Sequence, residues 1–308
     1  MEARVYKSTG SWYQVKTTDG HFWNARAKGK FKIEDISSTN PIAVGDIVAV
    51  EVENEVENSA TITTIYDRRN YITRRSPHNR RYQHIVASNL DQLLLIATLR
   101  DPRTSQGFID RFLIASEMYG VPAVLVFNKA DLYREKENAL FSEWQSIYEN
   151  AGYRVLLTSV LKGTGMEEVR ACLRDKTTLL SGHSGVGKSS FINALFPAMS
   201  LRTSEVSEWS GKGMHTTTFA EMFDLPSGGA IIDTPGVREF GLMDVSEHDL
   251  SHYFPEMRAV LGDCQFNNCR HLEEPGCAVK QAVREGRISE DRYVSYVNIL
   301  ESLGEKLY

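Results

Sequence analysis

A parallel α/β fold, preceded by a small all-β domain and followed by a cysteine-rich region, is predicted by three features of the sequence. From about residue 90, short apolar runs such as residues 93–97 and 123–127 alternate with stretches of helical period. Before residue 66, polar and apolar residues alternate with period two and are interrupted by turn signals such as Asp19-Gly20. Three of the four cysteines lie within the fourteen residues 264–277. A length of 308 residues leaves room for two or three cores, and a composition of 42% hydrophobic and 24% charged residues is that of a folded chain. No apolar run nears the roughly 20 residues that span a bilayer, and the first residues lack the apolar core of a secretory signal. A cytoplasmic location with no membrane partner is therefore expected, where reduced thiols exclude a disulfide framework. A net charge of -5 excludes a coat of positive charge, so binding of nucleic acid needs a local patch.

Residues 1–68 form the all-β domain. Tyr13 and Val15 alternate with polar neighbours, and Ile47, Val48, Val50 and Val52 follow the turn Val44-Gly45-Asp46. Five or so strands suit a barrel of the OB type, with an SH3-like barrel as the alternative. Residues 69–89 read as a basic linker: together with Arg68, the arginines 69, 74, 75, 80 and 81 are opposed in sequence only by Asp67. Such a stretch is either a solvated connection or a contact for RNA phosphates. Residues 90–243 hold the α/β domain. Its first helix places Phe108, Phe112, Ala115 and Tyr119 on one face and stops at Gly120, between the strands at 93–97 and 123–127. Further strands at 154–158 and 177–181 flank a helix carrying Val169, Cys172 and Leu173, in which Cys172 reads as a core residue. Residues 244–308 form a mainly helical, metal-binding domain.

The motifs fall at the ends of these strands. Gly182-His183-Ser184-Gly185-Val186-Gly187-Lys188-Ser189, continued by Ser190, matches the phosphate loop G-x-x-x-x-G-K-[ST] between a strand and a helix. Its glycines let backbone N–H groups face phosphates, Lys188 neutralises the β- and γ-phosphates, and the Ser189 hydroxyl coordinates magnesium. Asn128-Lys129-Ala130-Asp131 matches the guanine motif N-K-x-D. In the reading carried over from GTPases, Asp131 accepts the two donors that guanine has and adenine lacks, Asn128 helps hold the base, and the Lys129 stem covers its face. Thr158-Ser159-Val160 resembles the S-A element whose backbone meets the guanine oxygen. Asp233-Thr234-Pro235-Gly236 is the D-x-x-G element: Asp233 holds magnesium through water and the Gly236 N–H senses the γ-phosphate. Residues 200–218 read as a switch loop in which Thr217, or else Thr216, binds magnesium. His215 is the candidate for positioning the attacking water, a plain surface histidine being the alternative. Val237 stands where many GTPases carry a water-orienting glutamine, so slow intrinsic hydrolysis is expected. The ligand implied is GTP or GDP with Mg²⁺.

In ordinary GTPases the phosphate loop comes first and N-K-x-D comes later; here the order is reversed. The sheet survives this change if the usual termini are joined by the helix of residues 165–176 and the chain is cut after D-x-x-G. Cys264-x4-Cys269-x-His271-x5-Cys277 supplies four N and S ligands, which suit a closed tetrahedral Zn²⁺ site rather than unligated buried thiols.

The permuted order, the string 182–189, the run His215-Thr216-Thr217-Thr218, Asp233 to Gly236 and the Cys/His cluster together resemble the ribosome small-subunit-dependent GTPase A (RsgA) family over nearly the whole chain. The resemblance implies a circularly permuted P-loop GTPase domain between an OB-type barrel and a zinc domain. It also implies GTP hydrolysis stimulated by the 30S ribosomal subunit, late maturation of that subunit, contact with its rRNA, and release of an assembly factor by a chain acting as a monomer. In the family the histidine of the H-T-T-T run is implicated in hydrolysis, which points to His215. Met214 departs from the basic residue often found there. Two other readings are an ATP-dependent P-loop kinase, against which Asp131 argues, and a zinc-stabilised RNA-binding scaffold with an inert nucleotide site.

Overall fold

The computed structural model describes residues 1–28, 41–75, 83–196, 220–234 and 245–304. His215, Thr216, Thr217, Gly236, Arg80 and Arg81 lie outside the described residues. The chain forms two compact units, Met1–Leu94 with Met166–Arg238, and Leu95–Gly165 with Glu239–Tyr308.

The first unit begins with strands β1 (Glu2–Ser8), β2 (Tyr13–Thr17), β3 (Phe22–Ala27), β4 (Ile47–Asn54) and β5 (Ser59–Ile65). Antiparallel pairs β1–β2, β2–β3 and β4–β5 are closed by an antiparallel β1–β4 ladder and a parallel β3–β5 ladder. This Greek-key order, 1-2-3-5-4 and back to 1, settles the barrel as the OB type, a choice that period-two patterning alone left open. Alternate residues point inward, so Val5, Val15, Trp23, Ala25, Val48, Val50 and Ile62 fill the barrel.

Asp46 ties the barrel to the segment 68–88. Its buried carboxylate accepts hydrogen bonds from Arg68 Nε and Nη2 (both 2.6 Å), from Ser88 Oγ (2.5 Å) and from the Ala43 N–H (2.8 Å). Gly45 beside it has φ +96°, and a Cβ there would lie 2.2 Å from the Ser88 carbonyl oxygen, so only glycine fits the turn. Arg69 pairs with Asp91 at 2.7 Å and donates to the Leu90 carbonyl. The basic stretch therefore differs from its reading as a simple linker opposed only by Asp67. Arg68 and Arg69 meet carboxylates 22 residues away along the chain, and strands β6 (Tyr71–Arg75) and β7 (Gln83–Ser88) pair as an antiparallel hairpin.

The rest of this unit contains the start of β8 (Gln92–Ala97), helix α3 (Met166–Leu173), β11 (Thr177–Ser181), helix α4 (Lys188–Leu195), β12 (Glu221–Asp224) and β13 (Ala230–Asp233). Strands β11 and β13 are parallel and buried along their whole length. β12 is antiparallel to β13 and meets β1 at Lys7↔Glu221.

The second unit holds the end of β8, helix α1 (Gln106–Tyr119), β9 (Ala123–Phe127), helix α2 (Glu135–Asn150) and β10 (Arg154–Leu157), the last pairing in parallel with β9. Ser105 caps α1 by accepting from the Phe108 N–H, and Gly120 ends it in the left-handed region at φ 63°. The buried face carries Ile109, Phe112, Leu113 and Ala115, whereas Phe108 and Tyr119, expected on it, are not buried. The helix is turned because Asp110 faces inward. Its carboxylate accepts from Arg292 Nη1 (2.6 Å) and Tyr148 Oη (3.0 Å), while Arg292 Nε donates to Glu256 (2.6 Å). The Arg292 guanidinium also lies 4.6 Å from the Phe254 ring centroid. This buried triad joins α1 to the helix Glu290–Gly304 and to the turn Pro255–Arg258.

Removing one member of a buried ion pair strands its partner and costs about 3–5 kcal/mol. Asp110→Ala is expected to lower unfolding stability by that amount in urea titration, whereas Glu285→Ala, in an exposed pair with Arg287, leaves the midpoint unchanged.

Candidate nucleotide and metal sites

The phosphate-binding string occupies the turn from β11 into α4. Gly182, Gly185 and Gly187 have φ of 146°, 86° and 94°, values that side chains resist, and they let successive N–H groups line one concave loop at a helix start. Val186 is buried beneath the loop and Ser189 and Ser190 stand in the first turn of α4. Lys188 folds back over the loop, donating to the carbonyls of Gly182 and His183. Parallel pairing sets Leu180 opposite Asp233, which brings the end of β13 beside the loop.

Asp233 is 8% exposed, and among the described residues its Oδ1 has no hydrogen-bond partner. Burial raises its carboxyl above the ordinary value against the pull of Lys188, and burial lowers the Lys188 ammonium against the pull of Asp233. A buried carboxylate oxygen without a donor is a costly group unless a cation or its water meets it. Asp233 and the Ser189 hydroxyl therefore fit a nucleotide-bound Mg²⁺.

The guanine motif occupies the loop after β9 in the second unit. Asn128 is 2% exposed; its Oδ1 accepts from Thr158 Oγ1 at 3.1 Å and lies 3.4 Å from the Val160 N–H. Lys129 sits in the left-handed region at φ 64° and donates through Nζ to the Asp101 carbonyl. Ser159 Oγ donates to Asp131 Oδ1 at 2.5 Å. The structure thus brings Asn128, Asp131, Ser159 and Val160 together from two loops about thirty residues apart. Thr158, read in sequence within the S-A element Thr158-Ser159-Val160, contributes its hydroxyl to Asn128, whereas Tyr133 was not legible as a site residue. Tyr133 donates to the Asn128 carbonyl (2.9 Å) and accepts from the Leu99 N–H (3.1 Å), bracing the loop from behind.

The ligand atoms of Cys264, Cys269, His271 and Cys277 all lie within 4.8 Å of one another. His271 Nδ1 is 3.7 Å from Cys264 Sγ and 3.4 Å from Cys277 Sγ. Zinc bonds of ~2.3 Å to sulfur and ~2.0 Å to nitrogen give tetrahedral edges of about 3.5–3.8 Å, so the set fits zinc and selects Nδ1 as the imidazole ligand. Burial, reinforced by the neighbouring Cys277 and Cys264, pushes the Cys269 thiol up to about 12, the penalty a dication removes. His271 takes φ 62°, and outer contacts hold its loop. Tyr293 Oη donates to the His271 carbonyl (2.7 Å), and Glu274 accepts from the Arg270 and Leu272 N–H groups (both 2.8 Å).

A phosphate loop, a guanine loop and D-x-x-G on parallel strands, with the guanine loop earlier in the chain, define a circularly permuted GTPase. The family is shown by the sequence as a whole. Residues 65–243 match the model of the RsgA GTPase and residues 2–62 that of the RsgA N-terminal domain, and the chain belongs to the RsgA family. It is 49% identical to the small ribosomal subunit biogenesis GTPase RsgA of Flavobacterium psychrophilum, over 98% of this chain and 93% of that protein. It is likewise 49% identical to small ribosomal subunit biogenesis GTPase RsgA 2 of Bacteroides thetaiotaomicron, over 100% and 99%. Among solved structures, YjeQ from Thermotoga maritima superposes with a TM-score of 0.78 at 32% identity, covering 98% of each chain. YloQ, described as a circularly permuted GTPase, gives 0.76 at 29% identity, covering 99% of this chain and 95% of that one.

Two measurements test these sites. Ser159→Ala removes the donor that orients Asp131, and a loss of about 1 kcal/mol, some fivefold in GDP affinity by calorimetry, is expected. Cys277→Ser is expected to reduce bound zinc, measured by elemental analysis of the purified protein, well below one ion per chain.

Proposed function

We propose that this chain is a GTP-driven switch that binds the 30S ribosomal subunit and assists its late maturation. The observation that carries this reading is the join of the folded phosphate and guanine loops with full-length similarity to small ribosomal subunit biogenesis GTPases. In the proposed roles, Asp131 and Asn128 read guanine, Lys129 covers the base, and Ser159 steadies Asp131. The backbone of residues 182–187, with Lys188, Ser189 and Ser190, takes the phosphates. Ser189, Thr217 and Asp233 hold Mg²⁺, which supplies charge neutralisation between the β- and γ-phosphates. Gly236 senses the γ-phosphate and His215 positions the attacking water. Cys264, Cys269, His271 and Cys277 hold one structural Zn²⁺ with no open position for catalysis.

The chain works in the cytoplasm as a monomer that associates with the subunit. Residues 1–68 contact rRNA, 69–89 connect, 90–243 bind GTP and 244–308 form the zinc domain. With Val237 in place of a water-orienting glutamine, hydrolysis by the free protein is slow and the 30S subunit stimulates it, leading to release of an assembly factor. No helix among the described residues is long and apolar enough to cross a membrane, in keeping with this setting.

The test is GTP hydrolysis with and without purified small subunits. Stimulation of at least about tenfold, abolished in Lys188→Ala, is the expected result. Tight GTP binding without stimulation sinks the ribosomal assignment, and subunit binding unaffected by nucleotide or by Lys188→Ala identifies an inert scaffold instead.

A further inference from the structure

The row of residues that crosses the sheet at Asp233 carries charge on neighbouring strands. In the antiparallel β12–β13 ladder Glu221 stands directly opposite Asp233, and on its other side β12 meets β1 through the pair Lys7↔Glu221. Residues directly opposite one another share a face of the sheet, with Cβ atoms about 5 Å apart. Lys7 Nζ donates to Glu221 Oε2 at 3.0 Å, and the two side chains are 30% and 25% exposed. From β1 to β13 the row therefore reads cation, anion, anion, and it ends at the carboxylate that fits Mg²⁺.

Two carboxylates facing each other across a ladder repel. Burial raises the Asp233 carboxyl, Lys188 opposes that rise, and the charge of Glu221 adds to it. Pairing with Lys7 neutralises Glu221 and holds its carboxylate toward β1. Lys7 belongs to the barrel, so a charge carried by the first barrel strand bears on the field at the nucleotide site. Salt leaves this influence largely in place, since the Debye length of ~10 Å at about 0.1 M exceeds the spacing of the row.

The barrel also holds β12 outside this row. Asp224, three residues on and so turned to the opposite face of the strand, accepts from Tyr6 Oη and Lys16 Nζ, both at 2.5 Å. It pairs with Ala230, at the far end of β13 from Asp233 and about 10 Å along the strand. One tie to the barrel thus lies inside the charged row and another outside it, which separates an electrostatic role of Lys7 from a mechanical one.

We propose that Lys7 and Glu221 are positioning residues of the magnesium site: their ion pair sets how firmly Asp233 holds the nucleotide-bound Mg²⁺, and the barrel thereby tunes how long GDP is retained. This rests on the reading of Asp233 as a magnesium carboxylate and extends it to a strand of the barrel. Loss of Lys7 leaves an uncompensated negative charge beside the ion and tightens its hold. Loss of Glu221 leaves a positive charge there and loosens it.

The test is the rate at which the full-length protein releases a fluorescent GDP analogue as free Mg²⁺ is lowered with a chelator. The Mg²⁺ concentration that half-maximally slows release is expected to fall at least about threefold in Lys7→Gln and to rise at least about threefold in Glu221→Gln. The double variant restores neutrality and returns it to within about twofold of wild type. Both shifts disappear at about 1 M salt, where the Debye length is ~3 Å. Asp224→Asn, which loosens β12 from the barrel outside the row, leaves the midpoint unchanged. Circular dichroism matching the wild type shows that each variant folds. The proposal is overturned if neither single variant shifts the midpoint, if the shifts survive high salt, or if Asp224→Asn reproduces the effect of Lys7→Gln. Loss of Mg²⁺ dependence in Asp233→Ala, with unshifted Lys7 and Glu221 variants, removes this inference and leaves the magnesium assignment standing. Wild-type Mg²⁺ dependence in Asp233→Ala overturns both.

Discussion

The parallel backbone ladder is the constraint on which the sites depend. A parallel pair aligns strand ends, so the C-terminal ends of β11 and β13 lie side by side, and so do those of β9 and β10. Leu180 opposite Asp233 sets the phosphate loop against the candidate magnesium carboxylate, and Leu157 opposite Phe127 sets Ser159 against the guanine loop. None of these pairings depends on where the chain begins. Helix α3 joins β10 to β11, so the order of motifs changes while the ladders that position them do not.

Buried charge is treated in two ways. Asp46 and Asp110 are fully buried and meet arginine, Asp46 through two hydrogen bonds of 2.6 Å from Arg68 and Asp110 through one of 2.6 Å from Arg292, and each links segments far apart in sequence. Such pairs add little net stability over well-packed apolar groups, but they penalise any arrangement that separates them. Asp233 is nearly as buried, and among the described residues its Oδ1, like Asp110 Oδ2, has no hydrogen-bond partner. At the end of β13, beside the phosphate loop, such an oxygen fits a cation. The three sulfurs and one nitrogen of Cys264, Cys269, Cys277 and His271 lie within 4.8 Å of one another, a set that fits a metal ion.

The barrel shows how a shared fold is individualised by its surface. The inward residues of β1 to β5 follow the period-two rule and say nothing of partners. Outward residues at the same strands differ sharply from one edge to the other, aromatic and cationic on β2–β3, acidic on β4 and its turn. Since the interior positions are set by packing, it is the exterior positions that decide what approaches, and from which side.

The contiguous motifs were legible because each depends on the backbone torsions and chemistry of a single short loop. Glycines at 182, 185 and 187, the carboxylate at 131 and the ligand spacing from 264 to 277 carry their meaning locally, and the alternation of strands and helices around them came from hydrophobic period. Even the permutation was visible, because it is a statement about order. The tertiary structure alone decided what joins distant residues: the β3–β5 and β1–β4 ladders that make the barrel OB-like, and the pairing of Arg68 with the buried Asp46. It also decided the inward turn of Asp110 toward Arg292, and the brace of Tyr133 behind Asn128. These contacts span from 5 to 182 residues of chain, and an arginine or tyrosine looks the same in sequence whether its partner is water or a buried carboxylate.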